Sequence, residues 1–245
     1  MFHWPNGIAV GDSRVYVVDS SSDRVQIFDP HGLPLGVWGQ TGSAEGEFTY
    51  PAGAAASADG GVYVADWGNN RIQKFTAEGA FDTAWGSSGT GDGQSQWPAG
   101  VATDRSGKVY VVDYYSNRVQ KFTADGTFLT KWGSEETGSG QFVNPAGIAV
   151  DHGGHVYVAD TFNNRIQKFT SAGSFVTQWG NEGDGNGQFS LPRGVAVDGD
   201  GNGYVADTQN NRIEKSASTG GFLLTCGAAG ARGGAVQLPP WHRRG

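Results

Sequence analysis

The stretch PAGIAVDHGGHVYVADTFNNRIQKFTSAGSFVTQWG, residues 145–180, decides the fold. It holds four short apolar runs: residues 147–150, then Val156–Asp160, Arg165–Phe169 and Phe175–Trp179. Val, Ile, Tyr, Phe and Trp suit a pleated, packed surface, and the breaks carry Gly, Asn and Asp, which turns require. No run has the length or the period of a helix. The stretch therefore predicts four antiparallel strands.

The same register extends in both directions. Prolines 51, 98, 145 and 192 are 47 residues apart, and Pro5 precedes Pro51 by 46. Each opens P-x-G, followed by a VYVAD-like run, a polar loop, a RIQKF-like run and a Trp-Gly step at Trp38, Trp85, Trp132 and Trp179. The loop arginine recurs at Arg24, Arg71, Arg118, Arg165 and Arg212, which makes five copies. Four strands repeated at this period predict an all-β fold, a β-propeller of four-stranded antiparallel blades. A lone blade cannot bury both faces, so the recurrent tryptophans are expected to pack between blades. Composition agrees, since 41 glycines, 12% aromatic and only 17% charged residues among 245 favour short strands and tight turns. Blades are expected at about 5–50, 51–97, 98–144, 145–191 and 192–238.

Residues 145–180 and the segment PRGVAVDGDGNGYVADTQNNRIEK, residues 192–215, resemble NHL repeats, and the resemblance covers nearly the whole chain. It implies a propeller that usually closes with six blades, of which five are present. NHL propellers occur in RNA-binding and ubiquitin-ligase proteins, in bacterial sensor kinases and in an amidating lyase with histidine-ligated zinc. The resemblance therefore implies a fold and leaves function to the site.

The end of the chain departs from the pattern. Forty-seven residues after Trp179 stands Cys226, the sole cysteine. Cys is encoded TGY and Gly begins GG, so deleting the third base of that codon writes Trp. The shifted frame then accommodates Gly-Gln-Phe, Pro-Arg-Gly and Ala-Val in register with residues 179–197. Residues 226–245 are accordingly expected to be an out-of-frame reading of a sixth repeat. Phe2 to Pro5 match the end of a repeat, so the chain is expected to be a piece of a longer protein. Five blades on a six-blade curvature would leave apolar faces and strand edges uncovered, with marginal solubility unless a second molecule or the longer chain supplies the missing blade.

Charge narrows the partners. The formal net charge is −7, and without the three arginines of residues 226–245 it becomes −10. That opposes broad affinity for phosphate backbones, so nucleic acid is not favoured. One cysteine excludes an intrachain disulfide. No apolar run is long enough for a membrane helix, and no signal peptide is visible.

Asp19, Asp66, Asp113, Asp160 and Asp207 each precede an arginine by five residues. Such a pair is expected to face across a hairpin and clasp its turn. Asp198-Gly-Asp200-Gly-Asn202 imitates the start of a calcium loop, but Gln209 stands where the bidentate Glu belongs. His152 and His155 form the only histidine cluster and lack a third ligand nearby. No phosphate loop, G-x-S-x-G or H-E-x-x-H is present. No catalytic residue, metal or cofactor is therefore expected, and the chain is expected not to be an enzyme.

The second-to-third loops read SSSD, WGNN, YYSN, TFNN and TQNN. Their later positions are nearly constant, whereas the first two vary and carry Trp67, Tyr114, Tyr115 and Phe162. Arg193 replaces the Asn or Ala of other P-x-G steps and is expected at the channel mouth on the same rim. Rigid rings at variable turn positions point to a binding surface for a protein, peptide or glycan. A propeller lyase or lactonase with a central metal is the alternative, and RNA binding is a third reading.

Overall fold

A computed structural model describes residues 1–11 and 13–227. The chain divides into two compact units, Met1–Ser134 and Glu135–Gly245. Most of the expected tail, residues 228–245, lies outside the described residues.

The first unit holds three sheets, each an antiparallel meander in chain order. They are β1 (Pro5–Gly11), β2 (Arg14–Asp19), β3 (Arg24–Phe28) and β4 (Pro34–Trp38), then β5 (Pro51–Ala56), β6 (Val62–Asp66), β7 (Arg71–Phe75) and β8 (Phe81–Trp85), then β9 (Pro98–Thr103), β10 (Val109–Asp113), β11 (Arg118–Phe122) and β12 (Phe128–Trp132). The second unit holds β13 (Ile148–Val150), β14 (Val156–Asp160), β15 (Arg165–Phe169) and β16 (Phe175–Trp179), followed by β17 (Pro192–Val197), β18 (Gly203–Asp207), β19 (Arg212–Ser216) and β20 (Phe222–Cys226). Among the described residues the protein is thus all-β, with five four-stranded propeller blades.

Blades meet face to face through apolar side chains. In the first unit Tyr16, Val18, Val25 and Ile27 of blade one pack on Val62, Val64 and Phe75 of blade two, with Trp38 at the edge of the cluster. Blade two repeats the arrangement on blade three with Tyr63, Ala65 and Ile72 against Val109, Val111 and Phe122. In the second unit Tyr157, Ala159, Ile166 and Trp179 of blade four pack on Val205 of blade five. The indole Nε1 atoms of Trp38, Trp85 and Trp179 are buried without a hydrogen-bond partner, so these rings serve as apolar wedges. Removing such a ring from an interblade face forfeits its transfer energy and leaves a cavity, about 3–5 kcal/mol in all.

Two glycines of the repeat are steric necessities in several blades. A Cβ on Gly53 would sit 2.6 Å from Ala99 O of the next blade, so the P-x-G glycine lets neighbouring first strands converge. Gly180 (φ 95°) would place a Cβ 2.4 Å from the Phe189 ring, which fills the space beside the Trp-Gly step. Ladder register puts Cys226 opposite Ile213 as Trp179 lies opposite Ile166, so the cysteine occupies the tryptophan position.

Covering is unequal. Ile8 and Val10 of blade one are 65% and 71% exposed, whereas Val101, at the position of Ile8 in blade three, is 5% exposed. In blade five Ile213 is exposed where Ile166 of blade four is buried.

Candidate functional site

Each turn between a blade's second and third strands is organised by a buried aspartate. Asp66 Oδ1 accepts the Thr49 N–H at 2.9 Å, while Oδ2 accepts from Arg71 Nε at 2.8 Å, Gln73 Nε2 at 3.0 Å and Asn69 Nδ2 at 2.9 Å. Arg118, Arg165 and Arg212 meet Asp113, Asp160 and Asp207 at 3.1, 2.8 and 2.7 Å. Each guanidinium also donates to carbonyls of the preceding connection, as Arg71 does to Ala44 O and Glu47 O. The expected hairpin clasp is therefore also the tie between a blade and the segment that leads into it. Burial pushes the Asp113 carboxyl up despite the Gln96 N–H and Arg118. At Asp19 burial is outweighed by the His3 N–H and Arg24, and the carboxyl is held below its ordinary range. Arg24 is the more open partner, with a third of its side chain exposed while Asp19 is fully buried.

Three of these polar loops form single 3-10 turns, Ser20–Ser22, Trp67–Asn69 and Thr161–Asn163. These end on the left-handed residues Asp23, Asn70 and Asn164, with φ of 49°, 55° and 52°. Their side chains reach the next connection: Asp23 Oδ1 accepts the Tyr50 N–H at 2.7 Å, Asn70 Oδ1 the Trp97 N–H at 2.9 Å, and Asn164 Oδ1 the Leu191 N–H at 2.9 Å. Tyr50, Trp97 and Leu191 are themselves left-handed, with φ of 48°, 64° and 48°. A bulky residue pays roughly 1–2 kcal/mol for that conformation. It is held there by the fastened turn.

At the corner of blades two and three this backbone gathers four rings. Trp67 lies 5.4 Å from Trp97 and 6.0 Å from Tyr114, while Tyr115 lies 4.2 Å from Trp97 and 5.3 Å from Tyr114, measured between centroids. Backbone bonds set the approach: the Tyr114 N–H donates to Trp97 O and the Tyr115 N–H to Gln96 O, each at 3.2 Å. Trp97 and Tyr115 remain 39% and 49% exposed. Among the described residues, neither the indole N–H of Trp67 or Trp97 nor the Tyr115 hydroxyl is bonded within the chain. The site is an amphipathic, uncharged ring surface.

Trp67, Tyr114 and Tyr115 were legible from the loops, but Trp97 was missed. The signal was available immediately before the five repeat prolines, where Trp4, Tyr50, Trp97, Asn144 and Leu191 stand. Phe162 and Arg193 belong to the second unit and do not join the cluster's ring contacts. Thr161 Oγ1 donates to Pro192 O at 2.9 Å, fastening the loop of Phe162 to the strand of Arg193. Phe162 and Arg193 are both exposed.

The other candidates serve turns. His155 Nδ1 lies 3.1 Å from Asp151 Oδ2, and its N–H donates to Asp151 Oδ1. Asp198 accepts the N–H groups of Asp200 and Asn202, and Lys215 Nζ lies 3.0 Å from Asp198 Oδ2. Burial of that carboxyl is overridden by Asn202 and Lys215, which hold it far below its ordinary range. Among the described residues no group of three or more His, Cys, Asp or Glu is placed to hold a metal ion. Among the described residues no helix is long and apolar enough to cross a membrane.

The NHL repeat model matches residues 48–75, 96–122 and 142–169. No curated protein matches the chain. Among solved structures, streptogramin B lyase is 18% identical with a TM-score of 0.66, the match covering 89% of this chain and 67% of that one. A chain of the nidogen/laminin complex is 19% identical, TM-score 0.68, with coverage of 90% and 79%. A gluconolactonase from Xanthomonas campestris is 16% identical, TM-score 0.69, with coverage of 98% and 77%. At these identities the likeness is one of fold. It nevertheless corrects the expectation that the chain is not an enzyme, because a lyase and a gluconolactonase share the fold. A scan for contiguous motifs is a weak guide on a propeller, whose blades can each contribute one side chain from positions far apart in sequence.

Proposed function

We propose that the loop rim of this chain, which carries NHL-repeat matches on a propeller fold, binds a protein, peptide or glycan, chiefly through Trp67, Trp97, Tyr114 and Tyr115. The observation that carries this reading is four rings joined in a closed circuit of contacts, two of them, Trp97 and Tyr115, exposed. Rigid aromatic side chains contribute contact area at low entropic cost and dominate binding hot spots. Holding Trp97 in a left-handed conformation is the kind of local strain that collects at functional sites. The likeness to a chain from the nidogen/laminin complex supports a protein partner by analogy. Phe162 and Arg193 are proposed as lesser contacts on the rim of the second unit. The test screens wild type and a Tyr114→Ala/Tyr115→Ala variant against peptide and glycan arrays. Ligands lost by a variant that folds normally support the reading, and an unchanged profile removes it.

A second reading, a lyase or lactonase with a central metal, draws on the fold shared with streptogramin B lyase and gluconolactonase. Stoichiometric zinc or calcium retained after dialysis would favour it.

A further inference from the structure

We infer that the interface of blades four and five binds a small monocyclic aromatic molecule with one hydroxyl, a phenol, in the space that a phenylalanine ring fills in blades two and three. The site is separate from the loop rim and does not rest on it. The third strand ends in phenylalanine in four blades, at Phe28, Phe75, Phe122 and Phe169, and in Ser216 in blade five. Directly across the ladder, Val62, Val109 and Val156 face Phe75, Phe122 and Phe169, whereas Gly203 faces Ser216. On the face that blade five turns to blade four, a Val–Phe pair is thereby replaced by Gly–Ser.

In blades two and three the phenyl ring stands at the centre of other rings. Phe75 lies 5.5 Å from Trp38, 5.6 Å from Phe48 and 6.0 Å from Phe81, and Phe122 lies 5.8 Å from Trp85 and 6.1 Å from Phe128. Trp179, Phe189 and Phe222 take the corresponding places around Ser216. These walls keep their positions without the central ring. A Cβ on Gly220 would sit 2.7 Å from Trp179, as one on Gly79 would sit 2.6 Å from Trp38. A Cβ on Gly180 would sit 2.4 Å from the Phe189 ring, as one on Gly39 would sit 2.6 Å from Phe48. Tyr157 keeps its edge-on contact with Trp179, at 6.1 Å against 5.9 Å for Tyr16 with Trp38. Among the described residues neither Phe189 nor Phe222 has a ring contact, so no neighbouring ring has closed on Trp179 in place of the phenylalanine. Such incomplete collapse around a missing large side chain is the usual behaviour of a packed core.

The polar group at the site selects the ligand further. Ser216 is fully buried, and its Oγ has no hydrogen-bond partner. Other buried polar side chains of this interface are bonded: Glu214 lies 3.2 Å from Arg212 and accepts the Gly187 N–H, and Lys168 Nζ donates to Ser218 O and lies 3.8 Å from Asp151. Trp179 Nε1 also lacks a partner, but so do the indoles of Trp38 and Trp85 beside their phenyl rings, so it does not mark the site. What fits is a ring in place of the phenylalanine, with one group that donates to or accepts from a serine hydroxyl. A charged ligand is disfavoured, because nothing at this position would offset its desolvation. Buried apolar cavities left by a missing side chain take up benzene. A phenol brings the same ring together with the partner that the buried Ser216 hydroxyl lacks.

Calorimetric titration and urea unfolding of the full chain with phenol, toluene and cyclohexanol test the inference. The variants are Ser216→Phe, which restores the ring of the other blades, and Ser216→Ala, which keeps the space and removes the hydroxyl. Phenol should bind the wild type and raise its urea midpoint by mass action. Ser216→Phe should lose phenol binding and unfold at a higher midpoint than wild type without ligand. Ser216→Ala should bind phenol about fivefold more weakly and toluene at least as tightly as wild type does. Phenol binding that is absent from wild type, or equal in wild type and Ser216→Phe, overturns the inference. A Ser216→Phe variant less stable than wild type also overturns it, because the space would then be closed. Cyclohexanol bound as tightly as phenol, or full phenol affinity in Ser216→Ala, overturns the assignment of the ligand class.

Discussion

The corner of blades two and three and the corner of blades four and five are built on one backbone and dressed differently. In both, an asparagine at the end of the turn accepts the N–H of a left-handed residue at 2.9 Å, Asn70 from Trp97 and Asn164 from Leu191. In both, a buried aspartate holds an arginine, Asp113 with Arg118 and Asp207 with Arg212. Yet where the first corner carries Trp67, Trp97, Tyr114 and Tyr115, the second carries Thr161, Leu191, Thr208 and Gln209. The second corner forms without a ring cluster, its turn carrying the exposed Phe162 alone. The presence of the four rings at one place is therefore not explained by the demands of folding, and the fastened turn is the part that folding requires.

The largest effects should come from breaking what the corners share. Asp113→Ala and Asp207→Ala each strand a buried guanidinium and several donors, and each should cost about 3–5 kcal/mol in urea unfolding. A loss confined to one corner would show that the turn is not a common device. Trp85→Ala should cost a similar amount, about 3–5 kcal/mol, because that ring wedges between blades two and three. Trp97→Ala, twelve residues along, should change stability by less than about 1 kcal/mol.

An intermediate effect is expected at Glu214, which departs from the other blades. Gln167 donates to Gln141 O and Asp160 Oδ2 and accepts the Gly140 N–H, whereas Glu214 stands fully buried at the same position, 3.2 Å from Arg212 and without an amide donor for Asp207. Burial pushes its carboxyl up, against Arg212 and the Gly187 N–H. The folded chain thus binds the proton more tightly than the unfolded one. Stability should fall as pH rises from the ordinary glutamate pKa through the raised one. Glu214→Gln should remove that slope and gain about 1–2 kcal/mol at pH 8, read from urea midpoints at several pH values. A slope that survives the substitution would place its origin elsewhere. The smallest effect is expected for Trp97→Asn, where relief of the left-handed strain, about 1 kcal/mol, is set against lost ring contact.

Much of this was legible because the repeat states it five times. The RIQKF run becomes Arg165–Phe169, the VYVAD run becomes Val156–Asp160, and Asp160 pairs with Arg165 across the turn. The P-x-G step was read as a strand start, but its bulge, where Pro51 faces Asp66 and Ala54 faces Val64, depends on the close approach of the next blade. Local sequence carries no mark of that approach. The ring cluster was half legible for a similar reason. Positions 67, 114 and 115 vary within one recognisable loop, whereas position 97 sits in a connection where proline spacing drew the attention. Only the Asn70 to Trp97 bond shows why a residue 27 positions earlier aims that ring at its neighbours.

The most direct test exchanges the side chains of one corner for those of the other. Trp67→Thr, Trp97→Leu, Tyr114→Thr and Tyr115→Gln, combined in one chain, give the corner of blades two and three the residues of the corner of blades four and five. Equilibrium urea unfolding of that variant should match wild type within about 1 kcal/mol if the rings are surplus to folding. A loss approaching the roughly 3–5 kcal/mol of a buried aromatic truncation would make them core, and the binding surface would have no basis.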